Sequence, residues 1–156
     1  MDIRECRTDA EILATFPVVR QLYELSEQEY LAFAHEMMET DYRLITCFDN
    51  GKPVAVVGFR VGRRLYCGKY LHIDNLIIDE THRGKGFARA LVGWLRKEAA
   101  RLDCDTLLAD TYVDNHPAHR LFLSEGFHIR GYHLKQRVKH EYKTTFVSDK
   151  RQGKRH

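Results

Sequence analysis

The residue types best suited to chemistry lie in one short stretch, Arg83-Gly84-Lys85-Gly86, between an apolar run and a helical pattern. The first turn of a helix has backbone N–H groups without partners and carries a partial positive charge. Glycine lets an anion approach the backbone closely, and Arg83 and Lys85 add positive charge. The stretch therefore favours binding of a phosphate or pyrophosphate group, although a tight turn between a strand and a helix would need the same glycines.

Two common nucleotide-binding motifs do not match this stretch. The loop GxxxxGK[ST] is absent, because Gly86 is followed by Phe87 and no hydroxyl residue stands in position for magnesium. The dinucleotide pattern GxGxxG requires glycine at position 89, where the chain has Arg89. The phosphate ligand is therefore not identified by either motif.

The elements that position the stretch follow from periodicity and turn signals. A first strand is predicted over residues 2–6. Two capping boxes, Thr8–Glu11 and Ser26–Glu29, begin helices, and Pro17 predicts a kink or restart in the first of them. An Asn-Gly turn predicts a hairpin after these helices.

From that hairpin onward, strands alternate with helices. In order, they are the hairpin strands Tyr42–Phe48 and Pro53–Val61, the strand KYLHIDNLII, a helix from about Gly84 to Leu102, the strand CDTLLADTYV, the short helix HPAHRLFLSEGF, and a closing antiparallel pair formed by HIRGYHLK and the run ending EYKTTFV. The order β-α-α-β-β-β-α-β-α-β-β predicts an α/β fold, with a mixed sheet and helices on both faces.

Composition predicts one domain over residues 1–149 and a basic tail over 150–156, which we expect to be disordered and solvated. No apolar run approaches the about 18 residues of a membrane span, and no signal-peptide pattern is seen. The four cysteines, Cys6, Cys47, Cys67 and Cys104, form no CxxC pair and are typical of reduced thiols. We therefore expect a cytoplasmic protein.

Two segments together resemble the GNAT superfamily of N-acetyltransferases. Arg83–Ala88, RGKGFA, resembles that family's R/Q-x-x-G-x-G/A loop, and Asn115–Phe127, NHPAHRLFLSEGF, resembles its downstream segment, one helix and one strand later. The resemblance implies a mixed, mostly antiparallel sheet of six to seven strands. It also implies transfer of an acetyl group from acetyl-CoA to a primary amine, by direct attack in a ternary complex.

The resemblance further implies which residues contact acetyl-CoA. Loop amides would bind its pyrophosphate, and the pantetheine arm would lie where the strand before the loop and the strand after the long helix splay apart. Asn115 would lie near the thioester, although a plain helix cap explains it equally well. The implied cofactor-binding residues are Leu76, Ile77, Ile78, Arg83, Gly84, Lys85, Gly86, Phe87, Ala88, Asn115 and Phe122.

Acetyl transfer needs a base, a polarised thioester carbonyl and a proton for the leaving thiolate. The period of two predicts that His72, Asp74, Leu76 and Ile78 share one face of their strand. Since the resemblance implies a base near these positions, His72 is the first candidate, with Asp74 second or orienting it. The alternative is a structural His–Asp pair. A backbone N–H near Ile77 or Ile78 is expected to polarise the carbonyl.

The acid is the point where the chain departs from the family. The family commonly has tyrosine where this chain has Phe122, which cannot donate a proton. The replacements are His119, Tyr112, Tyr132 or water. Asn115, His119 and Phe122 fall on one helix face, which makes His119 the third catalytic candidate.

The sequence leaves two other functions open. A non-catalytic acyl-CoA-binding or sensing domain is favoured by Phe122, and a nucleic-acid-binding module by the basic tail; neither nucleic acid nor membrane is the expected partner. A zinc site is disfavoured because no third ligand accompanies His116 and His119. We expect a homodimer.

The acceptor is a primary amine, and a cationic one (a polyamine, an aminoglycoside or a lysine side chain) would suit the glutamates of the first two helices and their loop, unless these are merely solvated. They are Glu24, Glu27, Glu29, Glu36 and Glu39, beside Tyr23, Tyr30 and Tyr42.

Overall fold

A computed structural model describes residues 1–139 and the backbone of residues 145–146. Its elements follow in chain order. They are β1 (Asp2–Glu5), α1 (Asp9–Ala14), α2 (Phe16–Val19), β2 (Tyr23–Glu24), α3 (Glu27–Met38), β3 (Tyr42–Asp49), β4 (Lys52–Arg64), β5 (Gly68–Ile78), a 3₁₀ turn (Glu80–His82), α4 (Phe87–Arg101), β6 (Thr106–Ala109), α5 (His116–Ser124) and β7 (Thr145–Phe146). The predicted basic tail, residues 150–156, lies outside the described residues.

Five of these strands form the main sheet, in the order β1-β3-β4-β5-β6. Neighbours are antiparallel except β5 and β6, which are parallel. The prediction of a mixed, mostly antiparallel sheet is confirmed. Within residues 1–139 and 145–146, the predicted count of six to seven strands is corrected to five, because β2 and β7 pair with each other in a separate two-stranded sheet.

The predicted closing strand pair is not formed by the described residues. The segment HIRGYHLK has no strand structure, and the part of EYKTTFV that is described, Thr145–Phe146, pairs with Tyr23–Glu24. Ile129 and Tyr132 are 78% and 91% exposed. No other described part of the chain covers these apolar side chains, whereas a strand pair needs one buried face to be stable.

Local helix signals are confirmed. Both capping boxes form: the Thr8 hydroxyl accepts the Glu11 N–H at 3.3 Å, while the Thr8 N–H donates to the Glu11 carboxylate at 3.0 Å, and Ser26 and Glu29 bond in the same way. The first helix ends at Ala14 and a second begins at Phe16, with Pro17 in its first turn. The predicted restart is confirmed, because proline has no N–H to continue the first helix but fits the first turn of the second.

Apolar side chains bury both faces of the main sheet, which confirms helices on both sides. One cluster joins the sheet to α4 and α5 through Phe59, Leu91 and Phe122. The other joins it to α1, α2 and α3 through residues such as Ile12 and Ala34. The sheet is therefore held between two layers of helices. No helix among the described residues is long and apolar enough to span a membrane.

A buried carboxylate ties α4 to the sheet. Glu98 on α4 is 8% exposed, and its carboxylate bonds Arg101 at 2.7 Å and Arg43 of β3 at 2.5 Å. Arg43 also bonds Glu5 of β1 at 2.9 Å. The bond from Arg101, followed by that from Arg43, lowers the pKa of Glu98 to about 2. This network fixes the helix that begins at the glycine-rich stretch.

Candidate active site

The site begins where two parallel strands separate. β5 and β6 pair from Tyr70 opposite Thr106 to Ile73 opposite Ala109, and β5 then continues to Ile78 without β6 beside it. A cleft of about 120 Å³ opens between them. Its lining residues are Leu22, Tyr23, Ile73, Asp74, Asn75, Leu76, Ile77, Asp110, Thr111, Tyr112, Asn115, Ala118 and Phe122.

A β-bulge lies where the strands separate. Phe59 of β4 is opposite Ile73 and Gly58 is opposite Asn75, so Asp74 has no opposite residue. The extra residue changes which side chains face which layer. Ile73 packs in the cluster beneath α4, as Leu76 and Ile78 do, whereas Ile77 packs on the opposite face.

The bulge corrects the prediction that His72, Asp74, Leu76 and Ile78 share one face. Because Leu71 and Ile73 pack beneath α4, alternation places His72 on the other face. Past the bulge, Leu76 and Ile78 face α4. His72 and the two apolar residues therefore lie on opposite faces of β5.

The ladder with β4 shows which backbone N–H groups face the cleft. The Asp79 N–H donates to the Val54 carbonyl at 2.8 Å. Hydrogen-bonded pairs alternate along an antiparallel ladder, so the N–H of Ile77, which lies opposite Val56, also points toward β4. The N–H groups of Leu76 and Ile78 consequently point toward the cleft, and that of Ile77 points away from it.

Three residues fix the bulge. The hydroxyl of Tyr42, which is 5% exposed, donates to Asn75 Oδ1 at 3.0 Å. A Cβ at position 58 would lie 1.9 Å from Tyr42 Oη and 2.6 Å from Asn75 Oδ1, so only glycine fits there. Burial raises the pKa of Tyr42 strongly, so the phenol stays a neutral donor.

The two candidate bases have different partners. His72 Nε2 lies 2.7 Å from Asp110 Oδ2, and the His72 side chain is 15% exposed. Asp74 instead accepts from Arg60 Nε at 2.8 Å. The carboxylate beside His72 is thus Asp110, which the sequence reasoning missed. His72 pairs with Leu108 across the parallel ladder, so the strand register, had it been known, would have placed Asp110 nearby.

The three residues predicted to share one face of α5 do not all line the cleft. Asn115 accepts the Ala118 N–H at 3.2 Å and lines the cleft, as does Phe122, which is 8% exposed. His119 lies outside the cleft lining, and its Nε2 donates to the backbone carbonyl of Tyr112 at 2.8 Å. His119 therefore contacts the backbone of a cleft residue rather than the cleft itself.

Two tyrosines line the cleft. Tyr23 of β2 and Tyr112, which follows β6, both contribute to its wall. Burial, and after it the neighbouring Tyr112 and Asp74, raises the pKa of Tyr23. Tyr132, a further candidate acid, is 91% exposed and does not line the cleft. Of the three side chains offered as replacement acids, the structure brings only Tyr112 to the cleft.

The glycine-rich stretch forms an open turn before α4. Gly84 and Gly86 have φ values of +74° and +87°, a left-handed conformation that favours glycine. A Cβ at either position would meet no atom within 4 Å, so the space above the turn is open. Gly86 precedes the first residue of α4, Phe87, and no described side chain caps that helix. Exposed backbone donors and exposed Arg83 and Lys85 fit a pyrophosphate group.

No group of three or more His, Cys, Asp or Glu side chains within residues 1–139 could hold a metal ion.

Comparison with known proteins agrees with this geometry. The sequence model of the Acetyltransferase (GNAT) family matches residues 8–127. A streptothricin acetyltransferase of Escherichia coli is 32% identical over 62 residues, which are 40% of this chain and only 36% of that protein's length.

Solved structures show the same fold at low sequence identity. The 6'-N-acetyltransferase AAC(6')-IG from Acinetobacter haemolyticus, an aminoglycoside-modifying enzyme, has a TM-score of 0.73 at 16% identity, covering 89% of this chain and all of that one (100%). AAC(6')-Iy, solved with the bisubstrate analogue CoA-S-monomethyl-acetylneamine, has a TM-score of 0.77 at 15% identity, with 88% and 97% covered. The ribosomal-protein-alanine N-acetyltransferase from Brucella melitensis biovar Abortus 2308 has a TM-score of 0.73 at 17% identity, with 88% and 100% covered.

Proposed function

The chain belongs to the GNAT acetyltransferase family, and from that premise we propose that it transfers the acetyl group of acetyl-CoA to a primary amine in a ternary complex. The observation that carries the proposal is the continuity of one path. Leu76 of β5 lines the cleft, and the chain continues through Ile78 and the Glu80–His82 turn to the open glycine turn before α4.

Acetyl-CoA binding is assigned to that path. The amides of the turn and of the first residues of α4, with Arg83 and Lys85, bind the pyrophosphate. The cleft-facing N–H groups of Leu76 and Ile78 bind the pantetheine arm, with one of them at the thioester oxygen. The structure of AAC(6')-Iy with a CoA-linked analogue supports this use of the fold.

His72 is proposed as the base that accepts the proton of the attacking amine. The His72 side chain is not part of the cleft lining, but it contacts Asp110, which is. If Nε2–H donates to Asp110, Nδ1 of the neutral imidazole is left as the proton acceptor. The amine nitrogen forms a bond to the thioester carbon, the C–S bond then breaks, and the amine proton goes to His72. Asp110 orients the ring and stabilises its charged form.

Tyr112 is proposed as the proton donor to the CoA thiolate, in place of the tyrosine that Phe122 replaces. It lines the cleft, whereas His119 and Tyr132 do not. A water molecule remains the alternative donor, since a thiolate is a good leaving group. In this assignment His119 is a positioning residue, because its bond to the Tyr112 carbonyl holds the loop that carries the phenol.

The acceptor is proposed to be a cationic amine. Two acidic residues, Asp74 and Asp110, line the cleft together with Tyr23 and Tyr112. The glutamates considered from the sequence do not line it: Glu29, for example, is an exposed capping residue of α3. The matches to aminoglycoside and streptothricin acetyltransferases support an acceptor with several amino groups.

A second candidate function is a CoA-binding domain without catalysis. Phe122 favours it, because the position cannot donate a proton. Binding of CoA together with no amine acetylation by the wild-type protein would distinguish this function from the first.

We also propose a homodimer in the cytoplasm. Residues 103–114 carry Asp103, Asp105, Asp110 and Asp114 and no Lys or Arg, whereas 128–139 carry Arg130, Lys135, Arg137 and Lys139 and no Asp or Glu. The outer edge of β6 has no strand partner among the described residues. Within one chain, His133 Nδ1 already lies 3.6 Å from Asp110 Oδ2. The arrangement proposed for the dimer adds the basic segment of a second copy along this acidic edge, and a monomer in sedimentation equilibrium would contradict it. All four cysteines are free thiols, consistent with a reducing compartment.

The proposed function is tested first by ligand-dependent stability. At a hundred times its Kd, CoA or acetyl-CoA should add about 2.7 kcal/mol to the free energy of unfolding, while ATP should add little. Substituting both Arg83→Glu and Lys85→Glu should remove the effect of CoA, whereas the control Arg63→Glu, on the distant end of β4, should not. Release of free CoA thiol with a panel of polyamines and aminoglycosides then identifies the acceptor. Equal stabilisation of the double variant would contradict the assignment of the phosphate site.

A further inference from the structure

One side chain links two turns that are far apart in sequence. Gln21 lies between α2 and β2 and is half-buried. Its Nε2 donates to Asp79 Oδ1 at 2.6 Å, and its Oε1 accepts the Glu80 backbone N–H at 3.0 Å. Both ends of one amide are therefore used to hold the turn that follows β5.

Asp79 determines which group can stand opposite it. Its Oδ2 accepts the Thr81 N–H at 3.2 Å and His82 Nδ1 at 2.7 Å, and it also bonds the Thr81 hydroxyl. The bond from the Thr81 hydroxyl, and after it those from His82 and Gln21, holds the pKa of Asp79 well below its usual range. Asp79 is thus an anion that can only accept hydrogen bonds, and the Gln21 amide supplies the donor to its Oδ1.

The two turns lead to different parts of the proposed site. Leu22 and Tyr23 follow Gln21 directly and line the cleft. The Glu80–His82 turn leads directly into the glycine turn, and the His82 ring lies edge-on to Phe87, the first residue of α4, at 5.9 Å. Gln21 therefore joins the wall of the cleft to the base of the phosphate site.

We propose that Gln21 is a positioning residue that couples occupation of the phosphate site to the placement of the acceptor wall, Leu22 and Tyr23. The inference rests on the proposed function, because it takes CoA as the ligand of the glycine turn. A ligand that orders the turn after β5 also orders residues 20–23 through the Gln21 amide. The wall that contacts the amine is then set once the acetyl donor is bound.

The test uses 3'-phosphoadenosine 5'-diphosphate, the part of CoA that reaches the glycine turn but lacks the arm that enters the cleft. Backbone hydrogen exchange of residues 20–25 in the full chain should slow at least threefold when this probe binds. In Gln21→Ala the slowing should be lost. In the control Gln28→Ala, an exposed glutamine on α3, it should be retained.

Gln21→Glu gives a readout that a purely structural role would not. The introduced carboxylate faces Asp79, and two carboxylates at this distance favour sharing one proton. The slowing should be absent at pH 8 and return as the pH falls toward about 6, because the protonated carboxyl is again a donor. The other charged or titratable groups near Asp79 are Glu80, His82 and Asp49, and all three are also present in the wild-type protein, so the wild-type profile is the reference.

The outcomes separate the two proposals. If the wild-type protein binds neither the probe nor CoA, the proposed function is wrong and this inference with it. If the wild-type protein binds both, but exchange in residues 20–25 is unchanged on binding, or Gln21→Ala behaves as the wild type does, only the coupling is wrong. A Gln21→Glu profile without recovery at low pH would also overturn it.

Discussion

The buried Glu98 network provides a stability prediction with a worked magnitude. The pKa of Glu98 is lowered from 4.5 to about 2 by Arg101 and Arg43. A difference of about 2.5 pKa units at about 1.36 kcal/mol each corresponds to roughly 3 kcal/mol at pH 7. Because the folded pKa is depressed, this stability is present above the unfolded value of 4.5 and is lost as the pH falls toward 2. About 1.4 kcal/mol should remain at pH 3.

The assay is urea unfolding of the wild type and Glu98→Gln between pH 7 and pH 3. We expect the variant to be less stable by about 3 kcal/mol at pH 7, and by about half of that or less at pH 3. Glu36→Gln, at an exposed position of α3, is the matched control and should differ little from wild type at either pH. A difference between wild type and Glu98→Gln that does not change with pH would refute the reasoning.

Three further predictions concern the site. Gly58→Ala should destabilise by about 2–4 kcal/mol, because overpacking adds to loss of the Tyr42–Asn75 bond, and should weaken CoA binding; thermal unfolding equal to wild type would contradict the need for glycine. Asp110→Asn should lower kcat by roughly 10- to 100-fold while CoA affinity is kept, a smaller loss than the ~100-fold or more expected for His72→Ala. Steady-state kinetics and CoA titration measure both quantities, and an unchanged kcat would exclude a catalytic role for the His72–Asp110 pair. Tyr112→Phe should lower kcat while leaving Kd for CoA within twofold, whereas an equal loss in Tyr132→Phe would show that the phenol at 112 has no special role.

Features fixed by neighbouring residues could be predicted from the sequence. The capping boxes need only a hydroxyl and a carboxylate three residues apart. The glycine turn needs only φ values that glycine allows, and the break at Pro17 needs only the missing N–H. Each of these follows from contacts within one or two helical turns, so no knowledge of the tertiary structure was required.

Features that depend on distant partners could not be predicted in this way. The bulge at Asp74 exists because Tyr42 and Gly58, on two other strands, fit around Asn75. The pairing of His72 with Asp110 joins residues 38 apart through the parallel register. A period of two assumes an unbroken ladder, so it assigned the wrong face to Leu76 and Ile78.

The bulge divides β5 into two parts that can change independently. Before Asp74, the even-numbered side chains, including His72, face the side of the sheet opposite α4, and after it the parity is reversed. Deleting any other interior residue of β5 would turn one part over relative to the other, whereas deleting Asp74 would remove the bulge and leave Ile73 and Asn75 as neighbours opposite Phe59 and Gly58. Substitutions, in contrast, can alter the part near the amine without disturbing the part assigned to the acetyl donor. Under the proposed function, such a chain would acquire new acceptors by point mutation while its use of acetyl-CoA is preserved.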